Sequence, residues 1–396
     1  MEASVHAAMD ARLRRDSPRP LAVALSGGGD SLALTLMADA WARAAGRELL
    51  VLTVDHGLSP ASAAWTDTCA GIAARLGRPF VRLAWTGEKP PTGLPAKARA
   101  ARHALLADAA RAAGATVILM GHTADDVSEA GAMRAAGAST PDPRDWSPSP
   151  AWPEGRGVFL LRPILDVRRA DLRAWLARRG ETWIEDPANA DPRFARARAR
   201  AMKPEDQDGI GAPEAWPGLV EVANSGLIRM DRGSLTPRRL GLACVCAGGG
   251  TRPPRGAALG RAAETLAGTL AGARIRTEGG LVLISREPGE AARGGLAPLA
   301  LSQGHEAVWD GRFAFVARRP GLVVRRLAGL ARRLGPEARR GLAATPALAR
   351  GGLPAILLPD GEVGCPMLAP IPGVDWTPLV ADRLDAARGQ VTREPA

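Results

Sequence analysis

The stretch from residue 21 to about residue 130 constrains the fold more than any other part of the chain. Four short apolar runs, "LAVAL" (21–25), "LLVLTV" (49–54), "PFVRLAW" (79–85) and "ATVILM" (115–120), alternate with segments of helical spacing. In the first such segment, Asp30 to Ala45, residues Leu32, Leu36, Met37 and Ala40 recur at the helical period. A second helix is predicted to open at Ser59 and Pro60, as cap and first-turn residue, with Trp65, Cys69, Ile72 and Leu76 facing inward. Residues 96–113 supply a third. Strands that are apolar throughout need cover on both faces, and helices between them make the strands parallel. The expected fold class is α/β, a doubly wound parallel sheet.

Beyond this core the signals change. Residues 137–157 hold five prolines and are expected to form a long loop or flap. "FLLRPIL" (159–165) resumes the sheet or runs along its edge, and residues 167–179 read as a helix with Leu172, Trp175 and Leu176 inside and arginines outside. A composition change near residue 204 suggests a boundary, giving a catalytic domain at 1–204, a mainly helical middle domain at 205–300 and a small C-terminal α+β or strand-rich domain at 301–396. The last is read from "AVWDGRFAFVARRPGLVVRRL" and "LPAILLPDGEVGCPML", which alternate between Gly turns.

Net charge is +11, and among the cations only Lys89, Lys97 and Lys203 are lysines. Such an excess suits a polyanionic partner, because each neutralised phosphate releases counterions; an arginine-rich composition alone would give the same charge. The four cysteines, Cys69, Cys244, Cys246 and Cys365, include no CxxC pair, so free structural thiols are expected. No run of 18 apolar residues exists and the first 20 residues lack a signal-peptide core. A cytoplasmic protein without a membrane or an obligate protein partner is expected.

Between the first strand and the first helix stands Ser26-Gly27-Gly28-Gly29-Asp30-Ser31. A Gly-rich turn there aims backbone N–H groups and the free N–H groups of the first helical turn at one point, which makes an anion site. The loop is neither GxxxxGK[ST] nor GxGxxG. It resembles the SGGxDS pattern of pyrophosphatase-loop (PP-loop) enzymes, which implies an adenine-nucleotide α-hydrolase-like architecture and ATP cleavage between the α and β phosphates. "VDHGL" (54–58), "AKARAARHALL" (96–106), "GHTADDVSEA" (121–130) and "RPILDVRRADLRAWLARRGETWIEDPANADPRFARARAR" (162–200) together resemble the tRNA(Ile)-lysidine synthetases. The likeness covers residues 20–200; further on it rests on "RPPRG" (252–256) and "WDGRF" (309–313). His103 departs from a usual tyrosine, Val127 and Ala130 from Gln and Thr, and Ala197 and Ala199 from Asn and Ile.

The resemblance implies a ligase that joins free L-lysine to C2 of the wobble cytidine of tRNA(Ile) with a CAU anticodon. An adenylated cytidine is the intermediate, and AMP and pyrophosphate are released. Ser26, Gly27, Gly28, Gly29, Asp30, Ser31, Asp55, His56, Gly121 and His122 are then expected at ATP, with Asp30 also holding Mg²⁺. Asp30 would alternatively be a carboxylate favoured by the helix dipole, and His56 a surface loop residue. Lysine, with a side-chain pKa of ~10.4, arrives protonated and needs carboxylates to hold it and take a proton. Asp125, Asp126 and Glu129 suit that work; the competing reading makes Asp125 a helix cap and leaves Glu129 solvated.

Asp30, Asp126, Glu129 and Arg196 are the catalytic candidates. Arg99, Arg102, Arg193, Arg198 and Arg200 are expected at tRNA, against the alternative of a solvated basic face. Trp146, Trp152 and Trp183 are candidates for stacking on an unstacked base, with core packing the rival for Trp183. Two other functions fit the loop: another PP-loop tRNA-modifying enzyme such as a thiolase, disfavoured by the lack of a CxxC pair, and a catalytically weak tRNA-binding protein.

Overall fold

The computed structural model describes residues 1–136, 143–186, 216–293 and 295–396. It divides into two compact units, residues 1–213 with 389–396, and residues 214–388. In the first unit the order is α1 (Glu2–Arg12), β1 (Leu21–Ala24), α2 (Gly29–Ala45), β2 (Leu49–Asp55), α3 (Ser62–Leu76), β3 (Phe80–Ala84), α4 (Leu94–Ala112), β4 (Val117–Leu119), α5 (Ala124–Ala135), β5 (Trp146–Pro148), β6 (Phe159–Leu161) and α6 (Arg169–Arg178).

The sheet order is β3-β2-β1-β4-β6-β5. All neighbours pair in parallel except β5, which runs antiparallel to β6. Both faces are covered, as uninterrupted apolar strands require. On one, Leu106 and Ala110 of α4 pack on Ala22, Leu50, Leu52, Ile118 and Leu160. The residues between them, Leu21, Val23, Leu49 and Val51, are buried as well, and α2 packs on β1 and β2. The chain builds outward from β1 to β3 and then crosses to β4, so the switch in strand order lies between β1 and β4. Ligands of such sheets bind outside the strand C-termini at that point.

Two expectations are corrected. α3 starts at Ser62 rather than at Ser59, because the Ser59 hydroxyl accepts from Ala61 N at 3.2 Å and closes a separate turn first. The Pro-rich segment is not wholly a loop: Trp146–Pro148 forms the edge strand β5. Proline is tolerated there because one side of an edge strand needs no N–H donor. Residues 137–142 lie outside the described residues.

The second unit contains β7 (Val220–Val222), β8 (Ile228–Asp231), α7 (Pro237–Ala247), α8 (Ala257–Thr265), β9 (Gly268–Leu270), β10 (Ala273–Glu278) and β11 (Leu281–Arg286). β12 (Leu299–Ala300), β13 (Glu306–Trp309), β14 (Phe313–Ala317), β15 (Val323–Arg326), α9 (Pro336–Ala344) and α10 (Ala347–Arg350) follow. The unit closes with β16 (Pro354–Leu357), β17 (Val363–Gly364), β18 (Val374–Pro378) and α11 (Val380–Ala387).

Residues 216–286, read from sequence as mainly helical apart from the strand-like "GGLVLISRE" (279–287) that becomes β11, form an antiparallel sheet β7-β8-β11-β10-β9 against α7 and α8. Its strands are three to six residues long, too short for alternation to outweigh the helical segments between them. The later part is strand-rich, in sheets β12-β15-β16-β17 and β13-β14-β18. All four cysteines are buried and free. No helix among the described residues is long and apolar enough to cross a membrane.

Candidate active site

The loop after β1 is stapled by its two serines. Ser31 Oγ donates to Gly28 O at 2.9 Å, which uses its one proton, so the Ser26 hydroxyl donates to Ser31 Oγ at 3.0 Å. Gly27 sits at φ +81°, where an added Cβ would lie 2.3 Å from Ile184 Cδ1, and its carbonyl accepts from Ile184 N at 2.9 Å. Gly28 is the N-cap of α2 and Gly29 its first residue. The nearest neighbour of a Cβ on Gly29 would be the Trp183 ring, at an ordinary 3.5 Å. From β4, Gly121 presses on this helix start, since its Cβ would stand 3.0 Å from Ser31 Cα.

Three carboxylates converge beside the loop on a residue that sequence reasoning left on an outer helix face. Arg169, at the start of α6, donates Nε to Asp30 Oδ2 at 2.9 Å and Nη1 to Glu129 Oε1 at 3.2 Å, and its Nη2 lies 3.6 Å from Asp126 Oδ2. Its backbone N–H donates to Asp125 Oδ2 at 2.8 Å. Burial opposes the charge on Arg169, yet the bond to Asp30 and the charges of Asp30, Asp126 and Glu129 carry its pKa above the ordinary value. Burial raises the Asp30 pKa, Arg169 pulls it back, and Asp126 adds to the rise.

The competing reading of the acidic cluster is resolved in part. Thr123, not Asp125, caps α5, in a box where Asp126 Oδ2 accepts from Thr123 N at 2.9 Å. Asp125 instead ties α5 to the start of α6. Glu129 is only 2% exposed, so it is not a solvated helix residue.

A basic group occupies the other side of the strand ends. His122 is buried and its Nδ1 accepts from Arg162 Nε at 3.1 Å. An arginine N–H can only donate, so the imidazole proton of His122 sits on Nε2. Burial, and next the charge of Arg99, lowers Arg162 to about 10. Asp55 ends β2 and accepts from Gly57 N at 2.7 Å. Half-buried His56 meets Trp85 edge-on at 6.4 Å, and its Nδ1 is buried without a partner. Burial, followed by the charge of Arg102, lowers its pKa. On α4, Arg99 is exposed, Arg102 half-buried and His103 buried. Burial, with Arg102 and Arg99 next, pushes His103 down to about 2.

Among the tryptophans, Trp146 stacks on Phe159 at 5.0 Å and donates to Val391 O, which places it in the core and not at an open base site. Trp183 is half-buried over Gly29 with its Nε1 on Glu185, so it is part of the rim and not of the core. Arg193, Arg196, Arg198 and Arg200 lie outside the described residues. Arg169 and Arg162 are the site residues that sequence reasoning missed. Only their place inside the quoted segment 162–200 could have marked them, because each is one arginine among many.

A PP-loop domain model matches residues 1–205. Over 370 residues the chain is 50% identical to the tRNA(Ile)-lysidine synthase of Caulobacter vibrioides, spanning 90% of this chain and 89% of that protein. The chain belongs to the tRNA(Ile)-lysidine synthase family. It is 35% identical over 336 residues to the synthase of Hyphomonas neptunium, across 76% of this chain and 91% of the other. Against that of Rhodopseudomonas palustris it is 43% identical over 187 residues, across 47% and 54% of the two chains. The match to the Caulobacter protein spans far more than the first unit, so family likeness extends through the strand-rich part that sequence motifs touched only twice. The chain is therefore an ATP-using ligase of this family.

Proposed function

We propose that the chain makes lysidine in two steps at the edge where β1 and β4 end. In the first, the C2 oxygen of the wobble cytidine of tRNA(Ile) with a CAU anticodon attacks the α-phosphate of ATP, and pyrophosphate leaves. The N–H groups of residues 26–31 hold the negative charge that gathers on the departing phosphates. Mg²⁺ is commonly held by one or two carboxylates together with substrate phosphates. Asp30, whose side chain is 21% exposed beside the loop, fits that part; the bound ion would neutralise phosphate charge.

In the second step the lysine side-chain amine attacks C2, the C2–O bond to AMP breaks, and the amine gives up its protons. Asp126 and Glu129 hold the incoming ammonium and accept a proton. Asp125 and Arg169 keep the three helix starts in register. Arg99 and Arg102, with Arg193, Arg196, Arg198 and Arg200, serve the phosphates of ATP or tRNA. In the second unit, exposed Arg325, Arg326, Arg332, Arg339 and Arg340 are suited to the RNA backbone.

The observation that carries this reading is the meeting of Asp30 with Asp126 and Glu129 on one guanidinium, which supports a role for the carboxylates beside the loop in holding a cationic amine. The division of labour is open to test by single-turnover assays that separate pyrophosphate release from lysine incorporation. Asp30→Ala is expected to abolish both. Glu129→Ala is expected to retain pyrophosphate release and accumulate adenylated tRNA; equal loss of adenylation in the two variants would refute the assignment.

A further inference from the structure

Residues 389–396 return to the first unit after the whole of the second has been built. They are fixed there by a fully enclosed ion pair. Arg47 Nη1 and Nη2 donate to the two carboxylate oxygens of Glu394, each at 2.8 Å, with the side chains 1% and 0% exposed. Glu394 also accepts from Arg14 N at 3.0 Å, and its own N–H donates to Arg12 O at 2.8 Å.

From this anchor, bonds lead toward the site. Arg12 Nη1 donates to Thr392 O at 2.9 Å, while its Nε and Nη2 hold Asp145 Oδ2 at 3.0 and 2.6 Å. Trp146 Nε1 donates to Val391 O at 2.7 Å. The segment so held, Arg144 to Ser147, in turn grips Arg162: Asp145 O accepts from Arg162 N at 2.7 Å, and Arg144 O and Ser147 Oγ accept from its Nη1 at 2.7 and 3.1 Å. Arg162 Nε is left to face His122 Nδ1.

We propose that residues 391–394 are a positioning element of the active site, acting through Arg12, Trp146 and Arg162 to fix the ring orientation and tautomer of His122. Neither segment touches substrate in this account. The fixed outcome is an Nε2–H donor on His122 at the end of β4, next to the nucleotide loop. The catalytic consequence rests on the ATP role given to that edge above, while the effect on the ring does not. A hydrogen bond to one imidazole nitrogen sets what the other presents, and at metal-bound histidines loss of such a partner typically costs about 10-fold or more in function.

The chain has five histidines, few enough for ring ¹⁵N resonances to be assigned with a His122→Gln reference. The test compares wild type with Glu394→Gln, which breaks the buried pair, and with Arg12→Gln, a partly exposed site whose change leaves the core packed. Both variants are expected to lose the single Nε2–H signature of His122. In both, the KM for ATP should rise about 10-fold, while the rate at which lysine discharges preformed adenylated tRNA stays within about twofold.

Unchanged His122 resonances in a folded Arg12→Gln protein would overturn the proposal. So would a loss of both steps in proportion to the unfolded fraction. If the ring signature changes but wild type transfers no lysine, the ATP and lysine reading fails and the positioning role stands.

Discussion

Gly27 and Gly29 are neighbours in the same glycine run with opposite tolerances. At Gly27 the backbone is left-handed and a methyl would overlap Ile184, whereas at Gly29 the space beside Trp183 accepts one. A left-handed non-glycine residue costs roughly 1–2 kcal/mol before any clash. Gly27→Ala is therefore expected to lower the melting temperature and weaken ATP binding by calorimetry. Gly29→Ala, at a helix position that favours alanine, should change either little. Similar losses from both substitutions would contradict the loop geometry. The hexapeptide itself was legible in sequence because its residues are contiguous. Arg169 was not, since it meets Asp30 across 139 residues and looks in sequence like any polar-face arginine.

Three helix starts meet at the sheet edge: α2 with Asp30, α5 with Asp126, and α6 with Arg169. Their N-termini all favour negative charge, and Arg169 offsets the carboxylates gathered there. Because Arg169 lowers the pKa of Asp30 against burial, its removal raises that pKa further. The role proposed for Asp30 needs its ionised form, so the acid limb of pyrophosphate release is expected at a higher pH than an ordinary aspartate would give. In Arg169→Gln it should move to still higher pH. An acid limb at the same pH in variant and wild type would refute the coupling.

The strands and helices of this unit were readable from their periodicities, and the acidic cluster from its spacing. β5 was not, because three residues among prolines carry no periodic signal and the strand exists only through pairing with β6. The start of α3 was misplaced for a local reason: Ser59 makes the cap-like bond one turn early.

At the scale of the whole molecule, the first unit holds the chemistry and the second is entered and left once, with residues 389–396 closing back on the first. That return was invisible in sequence, since "VTREP" has no pattern that names Arg47 as its partner. The positive balance of the chain, +11, fits an RNA substrate. The central claim, however, concerns which bond is made. The direct measurement is incubation with ATP, Mg²⁺, labelled lysine and a tRNA(Ile) transcript bearing CAU, followed by nucleoside analysis. The account predicts label in a modified wobble cytidine with one AMP and one pyrophosphate formed per lysine incorporated, and none with a transcript whose wobble base is uridine. ATP binding without lysine in the tRNA, or label at another position, would contradict it.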